Sequence, residues 1–231
     1  GIIITFRTPD GNMDMCEIRY IQGELLWTGA SDTNLLVPAN WSYNETLTEN
    51  NLKSMLTNES SGVIIGSGAA NYPVISNDDD IEVYKLIVKN GAHITVGSGG
   101  KLTVKNSLVF EGNSNINAAE GTVVFSGESS SFSAKYPEFS TFGNLEISAG
   151  KFATTSDLHI TTSLTNNDTF TAGKVYFEPR DTVTIKPTET SISTNIGELI
   201  CTSQKGKTLV INGTIYSVEL LRLLDYIDSY I

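Results

Sequence analysis

The sequence predicts an all-β fold, a right-handed β-solenoid (β-helix), centred on residues 84–185. Three observations predict it. Apolar pairs at i and i+2 recur through the stretch, at Leu86/Val88, Ile94/Val96, Leu102/Val104, Leu108/Phe110, Val123/Phe125, Leu145/Ile147, Leu158/Ile160, Val175/Phe177 and Val183/Ile185. The pieces carrying them are short, so each pair marks one buried face of a very short strand. Corners of Gly, Asn and Ser separate them, such as Asn90-Gly91, Gly99-Gly100, Gly112-Asn113, Gly127 and Gly150, residues that tolerate the positive φ of sharp bends. Three such pieces make a triangular rung of roughly 20–24 residues, a solenoid period. An antiparallel sandwich also gives short strands and frequent turns. Its strands usually run about 5–6 residues, longer than most pieces here, and its hairpins need fewer corner glycines.

Residues 1–26 read as an N-terminal hairpin arm. A strand over 2–6 is followed by the turn signal Thr8-Pro9-Asp10-Gly11 and a returning strand over 15–21. Such an arm would cap the solenoid or pair with a partner's sheet edge.

Residues 27–76 form a leading block. It contains Trp27-Thr28-Gly29, Asn40-Trp41-Ser42, Val63-Ile64-Ile65 and Asn71-Tyr72-Pro73-Val74-Ile75. This order resembles the leading portion of a group of bacterial surface proteins with repetitive, adhesin-like β-solenoid regions. The likeness continues through Lys85-Leu86-Ile87-Val88, Gly100-Lys101-Leu102-Thr103-Val104, Gly121-Thr122-Val123-Val124-Phe125 and Thr141-Phe142-Gly143-Asn144-Leu145. It covers roughly residues 25–180. The resemblance implies a solenoid and an exposed setting, and it carries no catalytic residues.

The chain departs from that pattern in two ways. A short inserted helix is predicted after Thr48, an N-cap, with Leu52, Met55 and Leu56 on one face. The chain shows neither an export signal nor a sorting module, and Ile2-Ile3-Ile4 lacks the flanks of a signal peptide. A phage virion component, such as a head or tail fibre or a capsid decoration, is therefore the alternative setting.

The solenoid proper spans 77–185, and 186–231 holds further strands and a C-terminal helix. That helix is predicted over 218–231, capped by Ser217, with Leu220, Leu224, Ile227 and Ile231 on one face. It would plug the end of the solenoid, or form a homo-oligomer contact.

Net charge is −11 and the pI is about 4.6, which argues against a nucleic-acid partner. No segment has the length and character of a membrane-spanning helix. Cys16 and Cys201 stand in opposite end segments and read as buried thiols. Two His and no Cys-x-x-Cys argue against structural zinc.

Chemistry is sparse. Asp78-Asp79-Asp80, with Asn77 and Glu82, is the densest acidic run, and calcium is the one metal it would suit. It lacks the spacing of an EF-hand loop, and a solvated turn explains it as well. Asp157, His159, Asp168, Glu178, Arg180 and Asp181 are scattered, and neither His93 nor His159 has a Ser or Cys partner in sequence. The Asn-x-Ser/Thr triplets at Asn40, Asn44, Asn58, Asn167 and Asn212 are chance products of an Asn/Thr-rich chain. Outward Ser, Thr and Asn ladders with Tyr136, Phe139, Tyr176, Trp27 or Trp41 would suit a carbohydrate or protein receptor, although the two Trp fit the core of the leading block better. The expectation is a non-catalytic structural or adhesive module, extracellular or at a cell surface. A virion protein is the first alternative and a polysaccharide-acting β-helix enzyme the second.

Overall fold

The computed structural model describes residues 23–178 and 194–201 with their side chains. For 2–7, 13–18, 182–187, 202–203, 208–211 and 217–225 it describes the strands alone. Strands β1 (Ile2–Arg7) and β2 (Met13–Ile18) pair antiparallel in a two-stranded sheet of their own. The following strands are β3 (Gly23–Trp27), β4 (Trp41–Ser42), β5 (Ser61–Ile65), β6 (Val74–Ile75), β7 (Asp80–Lys89) and β8 (His93–Val96). Then come β9 (Lys101–Glu111), β10 (Asn115–Phe125), β11 (Ser129–Ala134), β12 (Thr141–Ile147), β13 (Lys151–Thr154), β14 (Leu158–Asn166) and β15 (Thr169–Phe177). The last are β16 (Thr182–Pro187), β17 (Thr194–Ser203), β18 (Thr208–Ile211) and β19 (Ser217–Asp225). Helix α1 (Glu49–Leu56) lies between β4 and β5.

From β3 onward the strands form a parallel β-solenoid of about 6 rungs. It has three faces. On face A, Thr95 pairs with Asn117, Asn117 with Thr141, Phe142 with Ile160, Ile160 with Phe177 and Phe177 with Cys201. On face B, Asp80 pairs with Lys101, then Lys101 with Thr122, Asn144 and Ser163 in succession. On face C, Trp27 pairs with Ile65, Ile65 with Val88, Val88 with Phe110 and Phe110 with Ala134. The strands are longer than the predicted pieces because pairing runs around some corners. Strand β9 pairs through 101–104 with β10 on one face and through 107–110 with β11 on the next.

Every predicted inward pair from Leu86/Val88 to Val175/Phe177 is buried, none of its residues more than 2% exposed. The side chains of Val183 and Ile185 lie outside the described residues. Seven phenylalanines, Phe110, Phe125, Phe132, Phe142, Phe152, Phe170 and Phe177, fill the core of the middle rungs. Phe152 stacks on Phe170 with centroids 5.4 Å apart and planes 10° apart, and Phe125 sits 4.6 Å from Phe152.

The first rung is closed by the leading block. The two-residue β4 pairs antiparallel with Leu26 and Trp27 of β3, which covers part of a ladder edge otherwise open to another chain. In α1, the Thr48 hydroxyl accepts from the Asn51 amide and the Asn51 side chain accepts from Thr48 N–H, a capping box. Its buried residues are Leu52, Met55 and Leu56, and it packs against β5 and β7.

The C-terminal segment departs from the predicted helix. Residues 217–225 are strand β19, parallel to β17. The register sets Val218 opposite Ile196, Leu221 opposite Leu199 and Leu223 opposite Cys201, three buried core positions. Positions 218, 221 and 223 thus fall level with existing core positions, and this pairing overrides the helical spacing of Leu220 and Leu224. Leu220 falls opposite Glu198 and Leu224 opposite Thr202. Ile227 and Ile231 lie outside the described residues. Among those residues, no helix is long and apolar enough to cross a membrane.

Candidate functional site

The outer surface is built from columns, because parallel in-register pairing puts equivalent side chains one above another about 4.8 Å apart. Residues far apart in sequence therefore become neighbours, and pairs of opposite charge assemble across adjacent rungs. Lys101 Nζ lies 2.5 Å from Asp80 and Lys105 Nζ 3.2 Å from Glu82 on face B and the corner after it. On face A, Lys174 Nζ lies 3.4 Å from Glu198 Oε2, and His159 Nδ1 lies 3.4 Å from Glu178 Oε1, an ion pair only when the imidazole is protonated.

The richest of these surfaces is the C-terminal half of face A. His159, Tyr176 and Ile200 occupy one column, by the pairings His159 with Tyr176 and Tyr176 with Ile200. The imidazole and phenol rings stack with centroids 4.5 Å apart and planes 1° apart. In the adjacent column Lys174 pairs with Glu198. The hydrogen bond from Lys174 to the Glu198 carboxylate raises the ammonium pKa above the ordinary lysine value, and Tyr176 and Asp157 add to the effect. A second aromatic pair on this face, Tyr72 with exposed His93, has centroids 4.2 Å apart.

One rung before His159, the corner between β11 and β12 is longer than its neighbours. This corner spans 135–140, whereas the equivalent corners one rung before and after span 112–114 and 155–157. It contains the 3-10 turn Pro137–Phe139. Tyr136 is 39% exposed and Phe139 56%, their rings 6.2 Å apart, with Lys135 Nζ 5.4 Å above the Tyr136 ring.

The remaining predicted residues fall elsewhere. Trp27 and Trp41 are buried in edge-to-face contact, centroids 5.0 Å apart. Asp78, Asp79 and Asp80 are exposed around a corner where Asn77 and Asp78 have positive φ. They take separate structural partners: Asp79 Oδ2 accepts from Ser76 N–H, and Asp80 meets Lys101. Among the described residues no three His, Cys, Asp or Glu side chains converge as metal ligands would. Asp168 Oδ2 accepts from the Gly150 amide, a corner contact. Arg180, Asp181 and the side chain of Cys16 lie outside the described residues. Cys201 is buried and free, and burial pushes its thiol pKa up.

Lys174, Glu198 and Lys105 were not singled out in the sequence. Their signal is the distance of one rung separating each from its partner, legible only once the register is known. No protein-family model, no curated protein and no solved structure matches the chain.

Proposed function

We propose that this chain is a non-catalytic β-solenoid module of an exposed surface, structural or adhesive, which holds a surface glycan or a protein receptor along its outer columns. The observation that supports this reading best is the use made of the outward carboxylates. Asp80, Glu82, Glu178 and Glu198 each face a basic side chain on a neighbouring rung. An enzyme that cleaves polysaccharide needs an acid and a base converging on one bond, and these carboxylates instead tie rung to rung. The setting is extracellular or at a cell surface.

The test is to incubate the protein with neutral and acidic polysaccharides and with intact cells, following retention and chain cleavage together. Retention without new chain ends agrees with the proposal. Steady release of chain ends, lost on Glu178→Gln, would replace it with the enzyme reading.

One observation favours the virion alternative. Strands β1 and β2 form a sheet separate from the solenoid, an arrangement suited to exchange with a neighbouring subunit. Light scattering decides this: a trimer that becomes a monomer without residues 1–22 favours a fibre or decoration protein.

A further inference from the structure

Among the described residues, the exposed rings of Tyr136 and Phe139 are anomalous. Seven other phenylalanines are entirely in the core. These two large aromatics sit together on the enlarged corner 135–140, while the equivalent corners one rung before and after carry none. A ring left in water forgoes the stabilisation of burial, so the corner's own stability does not account for them.

The size of the patch limits what can cover it. A buried aromatic removes about 150–250 Å² from water, so the two partly exposed rings present on the order of 200 Å² together. A stable protein interface buries about 800 Å² per partner. The patch fits one or two sugar rings, whose C–H faces stack on aromatic rings. The surroundings are polar. Lys135 and Glu138 belong to the same corner, and on the next rungs face A adds Asp157, the stacked His159 and Tyr176, and the Lys174–Glu198 pair. Rungs about 4.8 Å apart place such groups at intervals close to the length of one sugar ring. The charge selects the class of sugar. Glu138, Asp157, Glu178 and Glu198 outnumber Lys135 and Lys174 here, and the whole chain carries −11, so uronic-acid, sialylated or sulfated chains are repelled.

We propose that Tyr136 and Phe139 are the stacking platform of a neutral-glycan site that continues along face A past Asp157 and His159. This deepens the surface-module reading and rests on it.

The experiment measures retention of the full chain on mannan, galactan and β-glucan, with polygalacturonate and protease-treated cells in parallel. It compares the unaltered protein, the double variant Tyr136→Ala/Phe139→Ala, Phe139→Trp, and Lys101→Ala on face B. Both rings are partly exposed, so the double variant should lose little stability, and its melting temperature and circular dichroism check that it stays folded. The expected result is retention on at least one neutral polysaccharide, weakened about tenfold or more in the double variant and kept in Phe139→Trp and Lys101→Ala. Full retention by the double variant overturns the site and leaves the surface-module reading standing. Retention only on polygalacturonate overturns the ligand class. Binding to cells that protease treatment abolishes, with none to any polysaccharide, overturns the glycan and leaves a protein receptor. Retention on nothing overturns both.

Discussion

The indole Nε1 of Trp27 donates to the backbone carbonyl of Asn71 at 2.7 Å, and Asn71 Nδ2 donates to the carbonyl of Gly29 at 2.7 Å. This reciprocal pair joins the start of the first rung to the segment leading into face A. Gly29 has φ +58°, and a Cβ there would lie 2.0 Å from the Asn71 carbonyl oxygen. Asn40 completes the block. It is fully buried, its Oδ1 accepts from the Ser31 and Asp32 amides, and its Nδ2 donates to Asp32 Oδ1 and the Asn34 carbonyl. Asn40→Ala is expected to cost about 2–4 kcal/mol by stranding these groups, and Trp27→Phe about 1–2 kcal/mol. The chain has two tryptophans, both in this block. Urea unfolding followed by tryptophan fluorescence therefore measures its stability directly.

Phe152 tests the core. It lies between Phe125 and Phe170, so Phe152→Ala opens a cavity worth about 3–5 kcal/mol. A rung contacts only its neighbours, and the loss should stay local. Hydrogen exchange is expected to rise in β11, β13 and β15 while β3 and β5 keep their protection. Uniform loss of protection along the chain would mean that the solenoid unfolds as one unit.

The inward pairs were legible because each needs only a local period of two. The solenoid followed from their spacing, and the corner glycines marked where faces change. The C-terminal strand was not legible. Residues 217–225 satisfy a helical spacing and a strand register equally well in isolation, and only the columns under Val218, Leu221 and Leu223 decide between them. The outer surface was hidden for a related reason. His159 meets Tyr176 and Lys174 meets Glu198 through register, and the step per rung varies: Ile160 pairs with Phe177, but Phe177 with Cys201. The carboxylates at 78–80 stand together in sequence, yet an extended chain turning a corner sends neighbouring side chains to different partners.

That separation of carboxylates yields a prediction. Millimolar calcium, the range bound by weak extracellular sites, is expected to leave the melting temperature unchanged. A rise with calcium that disappears in Asp78→Asn/Asp79→Asn would assign a metal to this corner.

Ser140 predicts a stabilising change. It is 1% exposed, and its hydroxyl has no hydrogen-bond partner. It immediately precedes Thr141, which pairs with Asn117, so it falls level with the core residues Ile116 and Leu158. A buried hydroxyl without a partner costs about 1–3 kcal/mol. Ser140→Ala removes it with little change in volume and should raise the melting temperature by about 2–4 °C for each kcal/mol recovered. An unchanged or lower value would show that the hydroxyl has a partner, such as a buried water.

Cys201 sits in the face A core, paired in register with Phe177. Iodoacetamide is expected to leave it unlabelled in the native protein and to label it on unfolding, as read by peptide mass spectrometry. Its pKa in the folded state is raised by burial. As pH climbs through the ordinary thiol range, near 8.5, the unfolded chain loses this proton while the folded chain keeps it. The stability contributed by the neutral thiol is therefore complete below that range and declines above it, until the folded thiol itself ionises. The slope contributed by this residue is at most about 1.4 kcal/mol per pH unit. In Cys201→Ala this part of the alkaline slope should vanish, at some cost in packing. An identical slope in the variant would place the alkaline sensitivity in other groups.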